Sequence, residues 1–293
     1  MKSLTRFAPI VFVLLWSTGF VGAKYILPFA EPFVFLTIRY AVATILLVLI
    51  AKAIRESLRL SRDQVWQSIS VGFFLQVIYI GGVFYAVHLG VPAGITSAIV
   101  SLQPILVSVL AVRFLGERIR VIQGVGLLLG LVGVALLLLP KVFSGEFAPK
   151  FSGLGIISCF FALFGTTAGY LLQKKSGTEI PFLPGTAVQF AAATVLFAIA
   201  ASLSEEWKVE VTLEFLVALA WIVIALSIGS IFLLFYLLKH DSASSVSSLY
   251  YLVPPLTAIE AFALFGERIS PVGLLGMGLA AIGTILVTRR LTK

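Results

Sequence analysis

The stretch FLGERIR, Phe114 to Arg120, returns 150 residues later as LFGERIS, Leu264 to Ser270, with Gly, Glu and Arg in register. The same displacement carries Ala43-Thr44 onto Ala193-Thr194, Pro104 onto Pro254, and Gly126 and Gly133 onto Gly276 and Gly283. Phe84-Tyr85 meets Phe235-Tyr236 after a slip of one residue. The chain is written twice, and what each copy encodes decides the fold.

Composition fixes the solvent. Of 293 residues, 60% are hydrophobic and 12% charged, a mixture that a water-soluble core cannot absorb. Measured against the roughly 20 apolar residues that span a ~30 Å hydrocarbon layer, the sequence predicts ten transmembrane helices. They fall near Phe7–Leu27, Phe33–Ile54, Val65–Val87, Ala93–Leu115, Val121–Leu139, Gly153–Leu172, Leu183–Leu203, Phe215–Leu238, Ala243–Phe265 and Pro271–Val287. The expected fold is therefore an all-α integral membrane protein of two five-helix repeats, residues 1–142 and 150–290. Five is odd, so the second repeat must enter the membrane from the opposite side.

Charge tests that inversion independently. The net charge of +8 does not mark a nucleic-acid binder, because the bases sit at the ends of apolar spans. With both termini cytoplasmic, fourteen lysines and arginines fall inside and five outside; Arg39 and Arg113 lie within spans. The outer loop at 204–214 is acidic, carrying Glu205, Glu206, Glu210 and Glu214. This is a positive-inside pattern with both ends in the cytoplasm. The first helix, preceded by MKSLTR and followed by VGA, imitates a secretory signal. However, LLWSTGFVGAK, Leu14 to Lys24, has a counterpart in LFGTTAGYLLQK, Leu163 to Lys174, so the helix is expected to be retained. Inverted repeats suit alternating access to a central site.

Four stretches carry a resemblance to a known family: LLWSTGF in the first helix, LTIRYAVATILL in the second, SLQPILVSVLAVRFLGERI in the fourth and YYLVPPLTAIEAFALFGERIS in the ninth. Over nearly the whole chain the sequence resembles the EamA-like permeases of the drug/metabolite transporter superfamily. The resemblance implies ten helices and a central cavity lined by helices one, three, four, six, eight and nine. It also implies export of amino acids or related metabolites across the bacterial cell membrane.

Individual residues then become candidates. Arg39 lies roughly 9 Å inside the outer end of its helix, where a charge turns to the protein interior. It is read either as a substrate contact or as a bundle-stabilising group. Trp16 and Tyr79 lie far from the interfacial belt, and Ser101, Gln103, Tyr250 and Tyr251 flank the prolines of helices four and nine; these join Arg39 as candidate substrate-binding residues. Pro104, Pro254 and Pro255 interrupt helical hydrogen bonding and are candidate hinges. Glu260, at a depth similar to that of Arg39, is a candidate coupling group: either it pairs with Arg39, or it binds a proton when desolvated. The glycines of helices five and ten make close-packing faces that join the two halves or a second copy, so monomer and homodimer both stand.

No HExxH, GxSxG or P-loop motif and no cluster of metal ligands occurs in the spans, so no cofactor or metal is expected and the enzyme reading falls behind the carrier. A scaffold shares that lower rank. A multidrug or cation proton antiporter of the small kind relies on a first-helix Glu, and none is present from Leu4 to Leu27. The expected partners are a small solute, the bilayer and, where Glu260 titrates, a coupling proton. Phosphorylated solutes are disfavoured, because Arg39 is the one deep base.

Overall fold

The computed structural model describes residues 2–143, 152–176, 179–266 and 270–288. It is helical, with no strand among the described residues, and the elements in chain order are α1 (Lys2–Ile26), α2 (Pro32–Ala53), α3 (Arg62–His88), α4 (Ala93–Leu115), α5 (Val121–Phe143), α6 (Gly153–Ser176), α7 (Phe182–Ser204), α8 (Leu213–His240), α9 (243–265) and α10 (Pro271–Thr288). Eight are long and apolar enough to cross a bilayer; α5 contributes a shorter apolar stretch, Val121–Leu137. The outward surface carries Phe160, Phe161, Phe164 and Leu275, as expected where lipid is the solvent.

Helix ends are set by local chemistry. Ser61 and Gln64 form a capping box before α3, and Thr212 accepts from Phe215 N before α8. Others are capped from a distance. The Glu205 carboxylate, beyond the end of α7, accepts from Phe33 N at 2.9 Å and Val34 N at 2.8 Å at the mouth of α2. Glu117 accepts from Ala243 N at 2.6 Å and from Ser244 N and Oγ at 3.2 and 2.7 Å, at the start of α9. α4 and α9 end on Gly116 and Gly266, at φ 68° and 67°, a left-handed conformation that removes the penalty of a Cβ. The opening repeat is thus two equivalent helix stops; Glu267 and Arg268 of the second copy lie outside the described residues.

Four helices are not uniform, and their irregularities fall in matching places. α3 widens to a π-helix over Phe73–Ile80, and α8 does so over Ile222–Ser230. Ser227 and Ser230 hydroxyls bond back to the carbonyls of Ile222 and Ala225, five residues earlier. α4 breaks at Ser101-Leu102 and α9 passes through a 3₁₀ turn at Leu249–Leu252. The prolines stand at these mid-span interruptions. Pro104 and the Pro254-Pro255 pair occupy the first turn of the segment that restarts after each break, where a missing N–H costs nothing because first-turn amides have no intrahelical acceptor.

Three helix pairs, α5 with α10, α3 with α6 and α2 with α7, make the most extensive contacts. A Cβ on Gly126 would lie 2.7 Å from Gly283 O, and one on Gly133 would lie 2.5 Å from Gly276 O. The contacts run antiparallel and are reciprocal between repeat-related positions. The glycine faces therefore join helices within this one chain. Between α2 and α7, Tyr40 packs on Phe190 and stacks on Phe197 at centroid distances of 5.1 and 5.8 Å.

Candidate functional site

Where α1, α2, α3 and α8 converge, their side chains enclose a small cavity of about 30 Å³. α1 contributes Trp16, Gly19 and Phe20, α2 contributes Arg39, and α8 contributes Leu226 and Ile231. The π-helical part of α3 supplies Leu75, Gln76, Tyr79 and Ile80. A wide turn in α3 brings Gln76 and Tyr79 to the same wall, and the wide turn in α8 presents Ser227 to Arg39. π-segments recur at functional sites, and sequence periodicity does not announce them.

The polar groups form a short network. Trp16 Nε1 donates to Tyr79 OH at 3.1 Å with the rings stacked at 13°. Arg39, 5% exposed, donates from Nε to Ser227 Oγ at 2.9 Å and lies 5.1 Å from the Tyr40 ring. Tyr40 OH donates to Gln76 Oε1 at 2.9 Å, while Gln76 Nε2 is buried with no partner. Among the described residues no carboxylate pairs with Arg39. The Arg39–Glu260 pair considered from sequence is not formed: Glu260 Oε1 accepts from Ser17 Oγ at 2.6 Å, on the side of α9 turned to α1, while Arg39 reaches across to α8.

Trp16, Arg39 and Tyr79 share the cavity wall; the other candidates do not reach it. Tyr250 packs its ring edge-on against Trp16 at 5.7 Å, with Tyr170 behind it at 6.1 Å. Thr166 stands beside the Tyr250 hydroxyl, yet neither makes a well-formed hydrogen bond. Ser101 Oγ holds the α4 and α9 breaks together through Ser97 O and Tyr250 O. Gln103 is fully buried with both amide atoms unpartnered. Tyr251 is wedged over Gly130 of α5, where a Cβ would meet its ring, and so belongs to the α5–α10 packing. α4, α6 and α9 contribute no residue to the cavity wall, unlike the lining the resemblance implied, because Trp16 of α1 faces Tyr250 of α9 and, beyond it, Tyr170 of α6. Sequence reading missed Gln76, Ser227 and Tyr40; a lone Gln inside an apolar span was the available signal for the first.

At the Glu117 end lies a wide vestibule of about 780 Å³, bordered by Lys174, Lys175, Lys239 and Asp241. Lys174 Nζ donates to Leu238 O at 2.5 Å and Asp241 O at 2.6 Å, tying α6 to the end of α8. An aromatic column runs from Trp16 in the cavity wall through Tyr250 to Tyr170.

Comparison with known proteins gives this geometry a family. Residues 7–139 and 153–289 each match the model of the EamA-like transporter family. The chain belongs to that family. It is a membrane transporter and not an enzyme. An uncharacterized transporter of Bacillus subtilis, YvbV, is 26% identical over 99% of this chain and 93% of its own. A probable terminal-alkyne amino-acid exporter of Streptantibioticus cattleyicolor is 28% identical over 68% of this chain and 65% of that one. A protein of known crystal structure, 20% identical, superimposes over 96% of both chains with a TM-score of 0.78, a likeness of fold.

Proposed function

We propose that this EamA-like transporter is a secondary carrier of the cell membrane that exports a small metabolite, an amino acid or related compound, by alternating access. Ten spans form two inverted five-helix halves, residues 1–142 and 150–290, with both termini in the cytoplasm. Support for the inversion comes from the antiparallel, reciprocal glycine contacts of α5 and α10 and from the matched π-segments of α3 and α8. The amino-acid class draws support from the exporter relative.

The observation that carries the reading is the small central cavity with a buried Arg39 in its wall, paired with no carboxylate among the described residues. Such a charge is expensive inside a membrane and marks a solute pathway. About 30 Å³ holds little more than a water molecule, so the solute enters only after the aromatic column opens. The buried hydroxyls of Tyr170, Tyr250 and Tyr251 lack hydrogen bonds here. Orphaned polar groups are costly, and hydration on opening toward the vestibule would satisfy the first two. The breaks in α4 and α9, restarted at Pro104 and Pro254, are the proposed hinges. Trp16, Arg39 and Tyr79 meet the solute first; Ser101, Gln103, Tyr250 and Tyr251 act through the gate or come into reach when it opens. Glu260, with Oε2 unpartnered beside Ser17, is the proposed proton-coupling group.

Counterflow in proteoliposomes with a panel of labelled amino acids and other metabolites tests the proposal. Accumulation of one class, lost in Arg39→Leu at equal reconstitution, is expected. No exchange of any small solute would refute it.

A further inference from the structure

We infer that the central cavity takes the carboxylate of a monoanionic organic solute with an apolar body, and makes no provision for an ammonium group. The inference rests on the reading of this cavity as the solute site and, of the two classes named there, an amino acid or a related compound, selects the second: an organic acid without the ammonium group.

It follows from a census of donors and acceptors. Arg39 spends only Nε, on Ser227, so the two terminal nitrogens of its guanidinium have donors to offer. Gln76 has its oxygen taken by Tyr40 and its Nε2 unpartnered. Tyr79 accepts from Trp16, which leaves its own O–H to donate. Acceptors are few and uncharged: Ser227 Oγ already receives Arg39 and donates to Ile222 O, the Tyr79 oxygen already receives Trp16, and no Asp or Glu lines the wall. A guanidinium fork, an amide and a phenol thus share one wall with donors to offer and no anionic acceptor among them, the complement of a carboxylate.

Charge counting narrows the class. One buried cation balances one negative charge; a phosphate near two charges would leave the excess unpaired in a low-dielectric site. An ammonium would set a second positive charge near Arg39 and would find only the ring faces of Trp16 and Tyr79. Phe20, Leu75, Val83 and Leu226 complete the wall, which favours an apolar remainder. At the entrance, Lys174, Lys175 and Lys239 outnumber Glu117 and Asp241, a balance that concentrates anions.

The test uses purified full-length protein in which Trp66→Phe, Trp207→Phe and Trp221→Phe leave Trp16 as the reporter of binding. Aliphatic and aryl monocarboxylates are titrated, each against its primary amide and its α-amino acid, for example isocaproate, isocaproamide and leucine, with chloride as competitor. At least one carboxylate is expected to bind about tenfold or more tightly than both its amide and its amino acid. Arg39→Gln should collapse that ratio to about one. Should Arg39→Gln fail to fold, Gln76→Leu is expected to weaken the carboxylate about threefold and the amide less. Equal binding of acid and amide, tighter binding of the amino acid, no binding by any carboxylate, an unchanged ratio in both variants, or chloride alone as ligand would each overturn the inference. Counterflow of a zwitterion or amine without carboxylate binding would overturn it while sparing the transport reading; carboxylate binding without exchange of any solute would sink the transport reading alone.

Discussion

Replacing Gly133 by Ala tests the seam that joins α5 to α10. The added methyl would sit 2.5 Å from both Ala280 N and Gly276 O. Both are backbone atoms and cannot swing aside. Attractive contact begins near 3.5 Å, so the helices must separate locally by about 1 Å, a gap that forfeits roughly a quarter to a half of each affected contact. Overpacking of this kind costs about 1–3 kcal/mol. Gly278, on the same helix α10, has nothing within 4 Å of its Cβ position. There Ala brings only its better helix propensity, worth about 1 kcal/mol in the opposite direction. Cys159 is the single cysteine and is fully buried, so a thiol-reactive fluorophore reports unfolding without further engineering. At a scale on the order of 2 °C per kcal/mol, Gly133→Ala should melt about 2–6 °C lower and Gly278→Ala no lower than wild type. Gly126→Ala with Gly133→Ala should cost less than their sum, because the second methyl enters a seam already opened. A Gly133→Ala protein that melts at or above wild type, or a Gly278→Ala protein equally damaged, would refute the reasoning.

Three further outcomes follow from other contacts. Cysteines placed at Arg120 and Ser270, after the two GER turns, should label with impermeant reagent from the cytoplasm and from outside respectively; labelling from one common side contradicts the inversion. Glu117→Ala removes three hydrogen bonds from the start of α9, of a type worth about 1–3 kcal/mol with a charged acceptor. It should lower the melting temperature more than Glu117→Gln, and make a cysteine at Ser245 react faster. The Glu205 carboxyl at the mouth of α2 is pushed above its ordinary range, chiefly by partial burial and secondarily by Glu31, against the pull of the Phe33 and Val34 amides and of His88. A raised carboxyl adds stability that is complete below its unfolded value and is lost as pH rises through the folded one. Melting temperature should therefore fall across that window in wild type, and fall less in Glu205→Gln.

The positions of the helices were legible because a bilayer demands long apolar runs, and most expected spans agree with the observed ones within a few residues. Ala93–Leu115 in α4 coincides at both ends. The irregularities within helices were not legible: Phe73–Ile80 and Ile222–Ser230 lie inside long, largely apolar spans, and nothing in their periodicity distinguishes a π-turn from an α-turn. For the candidate site, the rule that a buried charge faces inward located Arg39 in the cavity wall. It could not name Ser227 as its partner, because that contact depends on the widened turn of α8. Tyr251, next to Tyr250 in sequence, shows the same limit: the 3₁₀ turn sends one ring to Trp16 and the other to Gly130. In the sequence Glu117 reads only as part of a repeated turn, whereas its carboxylate caps the start of α9.

Alternating access, as proposed, requires that one cavity open in turn to the two faces of the membrane. Gly19 lies in its wall, and a Cβ there meets Leu226 at an ordinary 3.7 Å, so Gly19→Cys on a Cys159→Ala background is a tolerable probe. During active counterflow, an impermeant thiol reagent is applied to one side at a time in vesicles of defined orientation. The account predicts modification from either side, slowed by transported solute; modification from one side alone, at any solute concentration, would contradict it.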